Sequence, residues 1–218
     1  MKRALALGIS LVLLLACVGT VSANLVTNGG FELPQYDSTV GYKDLSSGLT
    51  GWTIEYGTID QIHSTWQPYE GTQSLDLAGY SPSTISQTIS TVPGETYDLT
   101  FAMAGNPAVQ EQKILGVYWD DQELTPTYTF DTTGKTYLNM GWKVVTITGL
   151  KATKTTTKIA FRNEQSSPAY GVALDDVSVE DPPTPPTPAP EFPGIALPVG
   201  MLVGFIGVVL SVRKSRKE

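Results

Sequence analysis

The chain has 218 residues and a formal charge of −7, with 21 Asp/Glu against 14 Lys/Arg. Between residues 24 and 180 the imbalance deepens to eighteen acidic and eight basic side chains, a charge of −10, which excludes nucleic acid and anionic lipid as natural partners of that surface. The single cysteine, Cys17, lies in an N-terminal apolar run, so residues 24–180 carry neither disulfide nor thiol chemistry.

Residues 1–23 read as a secretory signal peptide: Lys2 and Arg3 precede an apolar run from Ala4 to Val18, and Val21-Ser22-Ala23 offers the small residues of a cleavage site. Asn24 is then the expected mature start. The next stretch, "NLVTNGGFELP", pairs two glycines with an aromatic and Glu32. Residues 35–51 follow as an expected loop.

From there to residue 180 the apolar residues alternate with period two rather than 3.6, the mark of half-buried strands. In "TYDLTFAMAG" Tyr97, Leu99, Phe101 and Met103 share a face, and in "KILGVYWD" Leu115, Val117 and Trp119 do. "GWTI", "SLDLAG", "TISQTIS", "WKVVTITG", "TKIAF" and "YGVALDDVSV" are further strands, separated by turn signals such as Pro93-Gly94, Thr133-Gly134 and Gly149. About nine or ten short strands and no long amphipathic helix predict an all-β antiparallel sandwich as one domain, 24–180. Loops 106–112 and 164–170 join 35–51 as the first places to seek binding residues. In the last strand Val172 and Leu174 have one parity and Val177 and Val179 the other, which predicts a bulge at Asp175 and Asp176.

Residues 181–193, "DPPTPPTPAPEFP", hold seven prolines in thirteen positions and predict an extended polyproline II stalk. Residues 194–212 carry no charge, and a helix of that length comes close to the roughly 30 Å hydrocarbon core of a bilayer. The basic tail 213–218, with Arg213, Lys214, Arg216 and Lys217, then stays cytoplasmic. The expected product is an exported domain at the cell surface, tethered to the membrane by its C-terminus.

Read together, "NLVTNGGFE", "GWTI", "GTIDQIHSTWQPYEGTQSLDLAG", "ISQTI", "PGETYDLTFAMAGNP", "MGW" and "GVALDDVSV" resemble the choice-of-anchor C domain. That domain is related to a plant cell-wall domain family and to the galactose-binding-like jelly rolls of carbohydrate-binding modules. "PEFPGIALPVG" with its span and basic tail resembles the PEF-CTERM sorting signal of archaeal surface proteins, which implies cleavage by an archaeosortase-type enzyme and a lipid-type anchor. The jelly-roll resemblance also implies a structural Ca2+ where the first and last strands lie together, held by Asn28, Glu32 and Asp175, with Asp176 competing with Asp175 for the metal. Chemically this is reasonable, because calcium takes about six to eight oxygens from carboxylates and main-chain carbonyls.

His63 is the only histidine; a catalytic triad would depend on it and no nucleophile-elbow pattern accompanies it, while zinc chemistry needs several such ligands. Carboxylate-pair hydrolysis of glycosides stays open because acids are plentiful, not because any pair is marked. Sugar binding needs aromatic faces beside planar polar groups. Trp52, Trp119 and Trp142 read as packed; Trp66 and Tyr69, in a polar turn-rich stretch, read as exposed. Asp60, His63 and Asp76 share one polar face, and Asn106 opens a loop. The sequence therefore predicts a non-catalytic module that binds envelope or matrix polysaccharide or a glycoconjugate. A structural module binding a neighbouring surface protein is the alternative, and a glycoside hydrolase the third.

Overall fold

The computed structural model describes residues 23–36, 39–165 and 169–180. The expected signal up to Ser22, the stalk, the span with its sorting signal and the tail lie outside them. Among the described residues twelve strands form: β1 Tyr42–Leu45, β2 Thr53–Tyr56, β3 Ile59–Ile62, β4 Ser74–Asp76, β5 Thr84–Ser90, β6 Thr96–Gly105, β7 Gln112–Trp119, β8 Gln122–Glu123, β9 Tyr128–Asp131, β10 Lys143–Lys151, β11 Thr156–Asn163 and β12 Val172–Glu180. There is no helix among the described residues.

The strands pair antiparallel into two sheets, one ordered β1-β3-β4-β12-β6-β10 and the other β2-β5-β11-β7-β8 with β9 also on β7. Their inner faces are the alternating apolar sets read from the sequence. Leu99, Phe101 and Met103 of β6 and Leu115 and Val117 of β7 are fully buried, each such side chain contributing roughly 1.5–3 kcal/mol of hydrophobic stabilisation. A run of aromatic contacts threads the core and crosses between the layers at its end: Phe31 meets Trp52 at 5.4 Å between centroids, Trp52 meets Phe161 of β11 at 6.0 Å, and Phe161 meets Phe101 of β6 edge-on at 5.3 Å. Trp52 and Trp119 are core residues as expected, and Trp142 packs partly buried against the core.

β1 falls inside the stretch 35–51 expected to be loop. "YKDL" has no apolar alternation, and Tyr42 and Lys43 are exposed; the segment becomes an edge strand only by pairing with β3, a partner the local sequence does not reveal.

The two ends of the domain run side by side. Asn24 bridges Glu180, Leu25 N–H donates to Val179 O at 2.9 Å, and Val177 N–H donates to Gly29 O at 3.0 Å. Along β12 the register with β6 shifts between Asp175 and Ser178, and Asp176 has φ +47°. This is the bulge that the change of parity predicts. Because of it Val172 and Leu174 on one side, and Val177 and Val179 on the other, all reach the core.

Candidate functional site

Three strands of the first sheet put aspartates opposite one another. Asp44 of β1 pairs with Asp60 of β3, and Asp60 pairs with Asp76 of β4, so the three share the sheet face that looks away from the core. Like charges directly opposite destabilise a sheet. Burial and its two acidic neighbours, Asp76 and Asp44, push the Asp60 carboxyl up to about 7. Burial pushes Asp76 to about 6, against the pull of its hydrogen bonds and of Lys113. Asp44 Oδ2 is buried without a hydrogen-bond partner.

Asp76 is fully enclosed. Its Oδ1 accepts from Ala78 N–H and Gly171 N–H, both at 2.9 Å, and its Oδ2 accepts from Asn106 Nδ2 at 2.8 Å. It thereby fixes three segments of chain above the acidic row. One is the Tyr170-Gly171 peptide, also held by the buried Lys113, whose Nζ donates to Tyr170 O. Tyr170 sits at φ +63°, a conformation costly for an aromatic residue and maintained by such over-determined contacts.

Above the row opens a cleft of about 340 Å³, lined by Asp60 and Asn106 together with Tyr42, Trp66, Tyr80, Tyr137 and Tyr170, and by smaller residues such as Gly79. Tyr80 is 77 % exposed, and Tyr42, Tyr137 and Tyr170 are also exposed at the rim. Acceptors below and ring faces around suit a small polar ligand with an apolar face.

The structure brings Asp60, Trp66 and Asn106 of the expected set to this cleft and encloses Asp76 beneath it, with two corrections. Trp66 is only 3 % exposed: its Nε1 donates to Ser74 Oγ at 2.9 Å and its ring stacks on Tyr137 at 6.3 Å, so it presents little beyond its edge. His63 and Tyr69 are not part of the lining. The His63 main chain donates to Gly41 O while its Nδ1 is buried without a partner. Tyr69 turns edge-on to Trp142 at 6.4 Å, because its N–H is tied to Asp175 Oδ2. The sequence reading overlooked the rim tyrosines. Tyr42, Tyr80 and Tyr170 each adjoin a glycine in a turn-rich segment, and that was the available signal.

The residues expected to hold calcium meet at the seam of the two chain ends, joined through the loop 69–73. Asp175 Oδ2 accepts from Tyr69 N–H and Glu70 N–H at 2.9 and 3.2 Å. Glu32 Oε1 accepts from Thr72 N–H and Gln73 N–H at 2.7 and 2.9 Å, and its Oε2 from Thr72 Oγ1 at 2.6 Å. Gly71 permits this approach, since an added Cβ would stand 2.1 Å from Glu32 Oε1. Asn28 binds locally, to Leu33 and to Thr50 O, and Asp176 N–H donates to Asp175 Oδ1. The carboxylate oxygens of Glu32 and Asp175 therefore face donors of the chain itself. Among the described residues no three His, Cys, Asp or Glu side chains gather to hold an ion. As arranged, this donor set does not fit a calcium cage.

Residues 24–180 match the family model described as protein of unknown function (DUF642). Over 174 residues the chain is 33 % identical to Halomucin of Haloquadratum walsbyi, covering 75 % of this chain and 2 % of that protein. Over 177 residues it is 28 % identical to Protein DUF642 L-GALACTONO-1,4-LACTONE-RESPONSIVE GENE 2 of Arabidopsis thaliana, covering 72 % of this chain and 46 % of that one. The chain thus spans less than half the length of either relative. Among solved structures it is similar to TmCBM61 in complex with β-1,4-galactotriose, with 18 % identity and a TM-score of 0.50 over 74 % of this chain and all of the other. That likeness shows that the sandwich shares the jelly-roll fold of that protein.

Proposed function

The chain belongs to the DUF642 family, and from that premise and the geometry of the cleft we propose that it is a non-catalytic carbohydrate-binding module acting at the cell surface. One observation carries the reading: the Asp44-Asp60-Asp76 row, a violation of ordinary strand pairing, lies beneath a cleft rimmed by four tyrosines. Departures from local consistency concentrate at functional sites. Asp60 and Asn106, which line the cleft, hydrogen-bond hydroxyl groups, and no Lys or Arg stands among the described lining residues to pair with an anion, so the ligand is a neutral polysaccharide of the envelope or matrix rather than a uronate or sulfated chain. The carbohydrate-binding module of similar fold, solved with a neutral galactan fragment, supports the same class.

A hydrolytic role is disfavoured by Asp76. Its two oxygens already hold three N–H donors and no solvent reaches it, so it cannot attack an anomeric carbon or activate a water. The proposal places the domain on an exported protein anchored through residues 194–212 or processed there by an archaeosortase-type enzyme. Support for that part is the sequence alone, and mass spectrometry of the membrane-extracted protein tests it: loss of the peptide after the PEF segment is expected, and an intact C-terminus leaves the span as anchor.

The binding test is retention on immobilised neutral polysaccharides and a glycan array, comparing the natural chain with Tyr42→Ala/Tyr80→Ala. Both tyrosines are exposed, so the fold survives their truncation, and removing two stacking faces weakens binding at least about tenfold, or 1.4 kcal/mol. Self-association with no glycan retained would favour the protein-binding alternative. Release of reducing ends by the pure protein would favour an enzyme.

A further inference from the structure

We infer that the domain carries a second saccharide site, separate from the cleft above the acidic row. It is a cavity of about 460 Å³ bounded by Tyr56, Thr84, Arg162, Asn163, Glu164 and Gln165. The two cavities share no lining residue: the turn after β4 gives Ala78, Gly79 and Tyr80 to the first and Pro82 and Ser83 to the second.

Asn163 ends β11 and is 3 % exposed. Its main-chain N–H is satisfied by Ser83 O at 3.0 Å, yet both atoms of its side-chain amide, Nδ2 and Oδ1, are buried without a partner. Gln165 Oε1, in the same wall, is also unpartnered. Buried amides are almost always hydrogen-bonded, so a donor and an acceptor left without partners on a residue of the cavity wall indicate a group that arrives from outside, met when the side chain turns toward the cavity. The group that matches an amide in both senses is a pair of vicinal hydroxyls, each able to donate and accept.

The rest of the wall narrows the class. Tyr56 is 70 % exposed and offers an aromatic face for the C–H side of a pyranose. Arg162 Nε lies 3.3 Å from Glu164 Oε1, and this ion pair cancels the charge of the wall. A neutral sugar unit fits these features; a free anion or cation would break the pair. Two such sites on one domain would increase retention on a polysaccharide through effective concentration, without a tighter single contact.

The test follows the Asn163 side-chain amide resonance of the ¹⁵N-labelled full chain in detergent during titration with β-1,4-galactotriose, cellotriose and xylotriose, each to its solubility limit. At least one trisaccharide should move that resonance saturably. Tyr56→Ala should abolish the movement while leaving the Tyr80 and Tyr170 main-chain signals responsive to their own ligand. Asn163→Leu should raise the melting temperature, because it removes an unpaired buried amide, and should erase the Tyr56-side response. An Asn163 amide unmoved by all three sugars, or Asn163→Leu that stabilises without altering the response of Tyr56, overturns the proposal. Failure of the first cleft would be read separately, as silence at Tyr80 and Tyr170 whatever Asn163 does.

Discussion

At Gly29 an added Cβ would stand 1.9 Å from Val177 O, whereas at Gly30 the nearest atom is Glu32 Cγ at 3.9 Å. The paired glycines of "NGGFE" are therefore unequal: the first lets the opening segment lie against β12, and the second has space. Gly29→Ala should cost about 3 kcal/mol and Gly30→Ala under about 0.5 kcal/mol in denaturant unfolding; equal costs would mean the seam is not built as described. A second consequence lies in the acids. Asp60, Asp76 and Asp175 are held near 7, 6 and 7, in each case mainly by burial. From the ordinary aspartate value of about 4 up to those values, the folded state binds more protons than the unfolded chain, so unfolding free energy falls as pH rises. Melting should thus be higher at about pH 5 than at about pH 8, and Asp60→Asn should narrow the gap; a melting temperature that climbs over this interval would contradict the buried acidic row. Asp76 was legible in the sequence because a polar residue between Leu75 and Leu77 in a strand must face away from the core, and Asn106 because it opens a loop after β6. The burial of Trp66 was not, since it depends on Ser74 and on Tyr137, seventy-one positions away in a different loop.

The loop 69–73 is the element that joins both ends of the domain. Asp175 grips its first half and Glu32 its second, through main-chain N–H groups that a short irregular segment could not otherwise pair. Glu32→Ala removes hydrogen bonds to a charged acceptor and should destabilise the domain by about 2 kcal/mol; an unchanged unfolding midpoint would show the loop to be held by something else. Because these oxygens already face N–H and O–H donors, saturating chelator should leave the melting temperature unchanged. A fall of several degrees would instead place an ion at the seam, as the jelly-roll resemblance implies. The bulge in β12 could be read from sequence since it follows from parity within nine residues. β1 could not, because an edge strand without apolar alternation is defined by its partner β3.

On the scale of the whole molecule, period-two patterning was enough to fix an all-β sandwich, and the aromatic contacts between Phe101 and Phe161 show the two layers closing on one core. What patterning could not supply was which outward face would be functional. The first sheet's outer face is covered in part by Trp66, Tyr69 and Trp142 and forms a cleft at Asp60; that distinction arises from loops crossing the sheet, not from the strands. The remaining claim is that this opening holds a neutral sugar. The most direct measurement is a crystal structure of the protein soaked with the glycan it retains best on the array. The account predicts a pyranose between Tyr80 and Tyr170, with hydroxyls within hydrogen-bonding distance of Asp60 and Asn106. A glycan bound only elsewhere on the domain, with that cleft holding solvent alone, would contradict it.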